Sequence, residues 1–119
     1  MTAKIGMVTF DAANASALAA FWAKVLDGKL TDEADGWFAT VDSPGNVSLG
    51  FQKVPDPTPG KNKIHLDISE EDYAAGQERL KALGAKWVTE QKMPFGTWTT
   101  FADPEGNLFC LGDMSSFNM

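Results

Sequence analysis

The sequence predicts an α+β fold: two tandem βαβββ modules forming an open, curved eight-stranded sheet around a cavity, with one helix outside each module. Three observations predict it. A turn motif occurs twice, as Asp42-Ser43-Pro44-Gly45-Asn46 and as Asp103-Pro104-Glu105-Gly106-Asn107, each time leading into a short apolar strand. The two copies lie 61 residues apart, and Trp37 and Trp98 keep that spacing. In each half a strand-like alternation is followed by a helix-like stripe and then by three more short strands.

In module one (4–54), residues 4–10 alternate as a strand, with Val8 and Phe10 on one face and Met7 and Thr9 on the other. Asn14 or Ser16 is suited to cap a helix running to about residue 26, whose Leu18, Phe21, Trp22 and Val25 form an apolar stripe. Gly28 is expected to end it in the left-handed conformation. Strands near 29–31, 37–41 and 47–53 complete the module. The connector, 55–62, carries Pro55, Pro57 and Pro59 and reads as a stiff spacer.

Module two (63–111) repeats the plan. Residues 63–68 form a strand with Ile64, Leu66 and Ile68 on one face and His65 and Asp67 on the other. Ser69 is the expected cap of the second helix, with Glu70, Glu71 and Asp72 in its first turn and Tyr73, Leu80 and Leu83 as its stripe; Gly84 ends it. Strands near 86–90, 98–102 and 108–111 follow, then an irregular tail, 112–119. The segment 91–97 is longer than its counterpart 32–36 and reads either as a lip over a cavity mouth or as a longer hairpin.

At 119 residues the chain is one domain, 1–119, because neither half is large enough to hold a core separately. A formal charge of −6 gives no basic footprint for nucleic acid or an anionic membrane. No apolar run is long enough for a signal peptide or a bilayer span, and Cys110, the one cysteine, has no internal partner. A reducing, cytoplasmic setting is therefore expected.

Three signatures carry a family resemblance: Phe21-Trp22-x-x-Val25-Leu26-x-Gly28, His65-Leu66-Asp67, and the second turn motif, 103–107. Together, over residues 5–111, the chain resembles the vicinal oxygen chelate superfamily, which includes glyoxalase I, bleomycin-resistance proteins, fosfomycin-resistance enzymes and extradiol dioxygenases, and in particular its glyoxalase-like branch. The resemblance implies a metal site drawn from the first and last strand of each module. Its four positions fall on Met7, Leu49, His65 and Cys110, and a register slip would move Leu49 to Gly50, Phe51 or Gln52. His65 and Cys110 are the good transition-metal ligands among these, with Gln52 a distant third. Two ligands are too few for a tight site unless substrate or Asp67 completes the sphere. The resemblance thus implies a degenerate metal site and no resident cofactor, a divalent metal being the alternative.

Two functions follow. The first is a small-molecule-binding protein resembling the bleomycin-resistance proteins, enclosing an apolar or aromatic ligand among Met7, Trp37, Phe51, Gln52, His65, Asp67, Trp98 and Cys110. The aromatics Trp22, Trp37, Trp87, Trp98, Phe38, Phe51 and Phe101 belong mostly to the core by composition, but parity puts Trp37 and Trp98 on a common strand face. The second is a glyoxalase-like lyase or isomerase acting on a small carbonyl compound, with His65 as catalytic acid or base and Asp67 orienting it. Cys110 reads as a small apolar core or pocket-wall residue, because no base or helix N-terminus stands beside it in sequence. In this superfamily modules pair within a chain or across a dimer, and a homodimer is expected.

Overall fold

The computed structural model describes residues 5, 7–32, 34–57 and 65–116. The chain divides into two compact units, Met1–Pro59 and Gly60–Met119. The connector residues 58–62 and the strand positions Lys63 and Ile64 lie outside the described residues.

Unit one is β1 (Met7–Ala12), α1 (Ala15–Leu26), β2 (Lys29–Thr31), β3 (Phe38–Asp42) and β4 (Ser48–Lys53). Its sheet runs β1-β4-β3-β2, with β1 parallel to β4 and the other pairs antiparallel. The helix crossover allows the parallel pair, and the tight turns allow the antiparallel ones. Asn14 caps α1 by accepting a hydrogen bond from the Ala17 N–H at 3.1 Å. Ser16 instead donates to Asp32 Oδ2 at 2.6 Å. Leu18, Phe21, Trp22 and Val25 are buried as expected, and Phe10 meets the Trp22 and Phe51 rings at 5.8 and 5.0 Å. Each such side chain removed from water contributes about 1.5–3 kcal/mol.

Unit two is β5 (Leu66–Ser69), α2 (Tyr73–Leu83), β6 (Lys86–Met93), β7 (Gly96–Ala102), β8 (Leu108–Asp113) and a 3₁₀ turn, Met114–Ser116. Its sheet runs β5-β8-β7-β6, again with a parallel first pair. Leu80, Phe101, Phe109 and Leu111 form its buried core. Each unit is thus a four-stranded mixed sheet backed by one helix, the α+β two-module plan. Among the described residues no helix is long and apolar enough to cross a membrane.

Three local expectations are corrected, and one open alternative, at 91–97, is narrowed. Asp27, not Gly28, takes the left-handed conformation after α1, at φ 50°. Gly28 is required for another reason: a Cβ there would lie 2.9 Å from Val41 Cγ1 and 3.0 Å from the Asp42 carbonyl. Asp72, not Ser69, caps α2, accepting from the Ala75 N–H at 3.0 Å, because Ser69 still pairs with Gly112 in the sheet. The acidic run therefore precedes the helix. Segment 91–97 is a hairpin, with only Pro94 and Phe95 between β6 and β7. The tail begins late, since Gly112 and Asp113 pair with Trp98 and Thr97, and the Thr97 N–H donates to Ser116 Oγ at 2.8 Å.

Candidate functional site

Residues opposite one another in a sheet point to the same side, so strand register decides which side chains face away from the helix. In unit two, Asp67 pairs with Cys110, Cys110 with Thr100 and Thr100 with Thr89. The next such row is Ser69, Gly112, Trp98 and Gln91. His65 shares the side of Asp67 by alternation. These rows form the face away from α2, because their neighbours Leu66, Phe109 and Phe101, and Ile68, Leu111 and Thr99, lie on the helix side.

That face carries a concavity of about 820 Å³ whose walls include His65, Asp67, Trp98, Thr100, Leu108 and Cys110. Trp98 is half-buried there, opposite Gly112 in the ladder. Phe95 approaches that ring at 5.8 Å from the hairpin tip. Lower on the face, His65 Nδ1 lies 3.4 Å from Asp67 Oδ1. The nitrogen, oxygen and sulfur donor atoms of His65, Asp67 and Cys110 all fall within 4.8 Å of one another. The Cys110 Sγ also meets Thr100 Oγ1 at 3.4 Å. Cys110 therefore has an imidazole and a carboxylate beside it that the local sequence of β8 does not reveal.

Unit one presents a different face. Met7, Thr9, Gly50, Thr40, Phe38 and Gln52 point away from α1. A Cβ on Gly50 would lie 2.6 Å from Met7 Sδ and 3.1 Å from Phe38 Cζ and Thr9 Oγ1, so Met7 and Phe38 close over the glycine. Met7 and Gln52 are on the face the sequence assigned them. Leu49 and Phe51 are not: both are buried on the helix side, where Phe51 packs on Phe10. Trp37 precedes β3 and alternates with Phe38, is 61% exposed, and carries Lys53 Nζ 5.1 Å from its ring centroid. Trp37 and Trp98 therefore do not share an equivalent strand face.

These departures have one cause. The spatial offset between the strand pairs is 60 (Thr40 to Thr100, Gly50 to Cys110), whereas the turn motifs align at 61. One residue of slip reverses every side chain. The strand pairing also makes Thr9 the counterpart of Asp67, an offset of 58, which keeps Met7 opposite His65.

Tyr73 joins α2 to the other side of the second sheet, donating to Glu90 Oε2 at 2.9 Å and sharing a short hydrogen bond with the buried Thr99 hydroxyl. Burial raises the Tyr73 pKa above its ordinary value and the Glu90 carboxylate adds to the rise, while the Thr99 bond opposes it. No substrate group on the opposite face can reach this cluster through the sheet.

The family model for the glyoxalase-like domain matches residues 7–112. No curated protein matches the chain. Among solved structures, a glyoxalase/bleomycin resistance protein/dioxygenase family enzyme from Burkholderia phytofirmans PsJN is 18% identical with a TM-score of 0.79, over 92% of this chain and 98% of that one. TnmS3, an antibiotic binding protein from Streptomyces sp. CB03234, is 20% identical with a TM-score of 0.69, over 93% and 95%. The fosfomycin resistance protein FosX from Listeria monocytogenes, in a mutant form complexed with Mn(II) and a dihydroxypropylphosphonic acid, is 17% identical with a TM-score of 0.79, over 100% and 94%. At these identities the structures share the fold, and the family match spans both modules. The chain therefore belongs to the glyoxalase-like domain family.

Proposed function

We propose that the helix-free face of the second sheet binds an apolar or aromatic small molecule, with Trp98 as its stacking platform. The observation that carries this reading is the half-buried indole opposite Gly112 inside a concavity of about 820 Å³. That volume lies in the range of small-molecule pockets, about 300–1,000 Å³. Leu108, Met114 and Val88 supply apolar wall, while Ser69, Gln91 and Thr100 supply hydrogen-bonding groups that fix orientation. TnmS3, with the same fold, is an antibiotic binding protein, which agrees with a binding role.

Titrating the protein with a panel of polycyclic aromatic compounds while reading tryptophan fluorescence tests this. Binding should quench emission, and Trp98→Phe should remove most of the response while Trp37→Phe leaves it intact. A response unaltered by Trp98→Phe would refute the assignment. Consumption of a small carbonyl compound that His65→Ala abolishes would replace it with the lyase or isomerase reading.

A further inference from the structure

The sequence holds one cysteine, and the second sheet puts it where a bound molecule would meet it. Cys110 is half-buried in the wall of the concavity, on the helix-free face that also carries Trp98. Strand register sets the span between the two. Cys110 pairs with Thr100 and Gly112 with Trp98, so the sulfur and the indole stand on adjacent rows of one face. Diagonal neighbours of this kind lie about 7–8 Å apart. A fused two-ring molecule is long enough to stack on the indole with its far ring at the sulfur.

The sulfur does not stand alone. Thr100 Oγ1 lies 3.4 Å from Cys110 Sγ, a hydroxyl contact that fixes where the thiol sits. The donor atoms of His65 and Asp67 fall within 4.8 Å of it, a gap that one water, or an oxygen of the bound molecule itself, can bridge. A base close enough to take the thiol proton is what makes a cysteine a reacting group. The imidazole is such a base, and it stands beside the concavity rather than behind the sheet.

We propose that Cys110 captures electrophilic aromatic ligands covalently, by conjugate addition to a ring enone or quinone stacked on Trp98. The sulfur lone pair forms an S–C bond to the ring carbon β to a carbonyl, and the C=C π pair moves onto the carbonyl oxygen. The thiol proton, carried by the His65 imidazole, ends on that oxygen, and His65 returns to its starting state. Tautomerisation then gives a hydroquinone thioether from a quinone, or a saturated ketone thioether from an enone, so no oxidant or reductant enters the step. The proposal rests on the pocket reading and deepens it, by naming the class of aromatic ligand that the site retains.

The test uses the full chain, freshly reduced, with naphthoquinone in the absence of oxygen. Intact mass should rise by one quinone per chain, and peptide mapping should place it on Cys110. The rate should saturate as quinone concentration rises, because binding precedes the bond. Cys110→Ser should abolish the adduct, and His65→Gln should slow bond formation at saturation at least about tenfold. Trp98→Ala should raise the half-saturating concentration. Circular dichroism confirms that each variant is folded. An undiminished adduct in Cys110→Ser, no adduct in the parent protein, or a rate linear in quinone and equal to that of free cysteine overturns the capture. An unchanged saturated rate in His65→Gln overturns the proton route. Tryptophan quenching by unreactive polycyclic aromatics reads the pocket separately: quenching without an adduct leaves the pocket and removes the capture, whereas neither quenching nor saturation removes both.

Discussion

Gly50 and Cys110 occupy the same place in the two sheets: each sits on the last strand of its module, paired with a threonine on the preceding strand and with a residue of the first strand, Thr9 or Asp67. In one module that place holds a thiol beside an imidazole and a carboxylate; in the other it holds no side chain, and Met7 fills the space. The two modules share a backbone plan and present unlike faces.

Gly50→Ala should destabilise the protein by about 1 kcal/mol, because the exposed Met7 side chain must swing away from the new methyl and Phe38 and Thr9 must give slightly. Adding Met7→Ala should recover part of that loss, a coupling of at least about 0.5 kcal/mol in a double-mutant cycle by chemical denaturation. Strict additivity would show that Met7 does not close over Gly50.

Gly28→Ala should also destabilise, by about 1–3 kcal/mol, although Gly28 is not left-handed. The cause is the approach of Val41 and the Asp42 carbonyl, the latter a backbone atom that cannot swing aside. A melting temperature equal to that of the parent protein would contradict this packing.

The two turn aspartates should differ in weight. Asp103 is 3% exposed, and its Oδ1 accepts from the Glu105 and Asn107 N–H groups at 3.0 and 2.9 Å, with the Asn107 amide adding two more contacts. Asp42 is exposed and accepts from the Ser48 hydroxyl. Asp103→Ala should cost about 3 kcal/mol and Asp42→Ala about 1 kcal/mol. Equal losses in urea unfolding would argue against the buried hub.

Tyr73 should make stability fall at high pH. Burial raises its folded pKa above the unfolded value of about 10, so the folded state holds the proton more tightly. That contribution is complete below the unfolded pKa and is lost as pH climbs from there through the folded pKa. Tyr73→Phe should flatten the decline in melting temperature above about pH 10 and cost about 1 kcal/mol at neutral pH through the lost bonds to Glu90 and Thr99. An unchanged alkaline slope would assign the decline to other groups.

Much of the fold was legible in sequence because it is written in local chemistry. The stripe of Leu18, Phe21, Trp22 and Val25 marks α1, the Asn14 amide marks its start, and Gly45 and Gly106, at φ 80° and 87°, mark the two turns. The site was legible only in part. His65 and Asp67 were placed on the helix-free face by simple alternation within one strand, which depends on no partner, whereas parity paired Trp98 with Trp37 without fixing which face they share. Leu49, Phe51 and Trp37 were misplaced because their assignment crossed from one module to the other by an alignment of turns. The turns match at 61 and the ladders at 60, a difference no periodicity within a strand displays.

By itself, then, the sequence determined the two-module α+β plan, the order of its elements and the family, since each depends on hydrophobic period, caps and turn residues acting over a few positions. Only the tertiary structure decided the company each site residue keeps. Cys110 looked like a wall residue on an apolar strand until the parallel ladder set Asp67 beside it and brought His65 within 4.8 Å. The physical reason is that side-chain neighbours across strands are fixed by hydrogen-bond register, and register is a property of two segments brought together, not of either one alone.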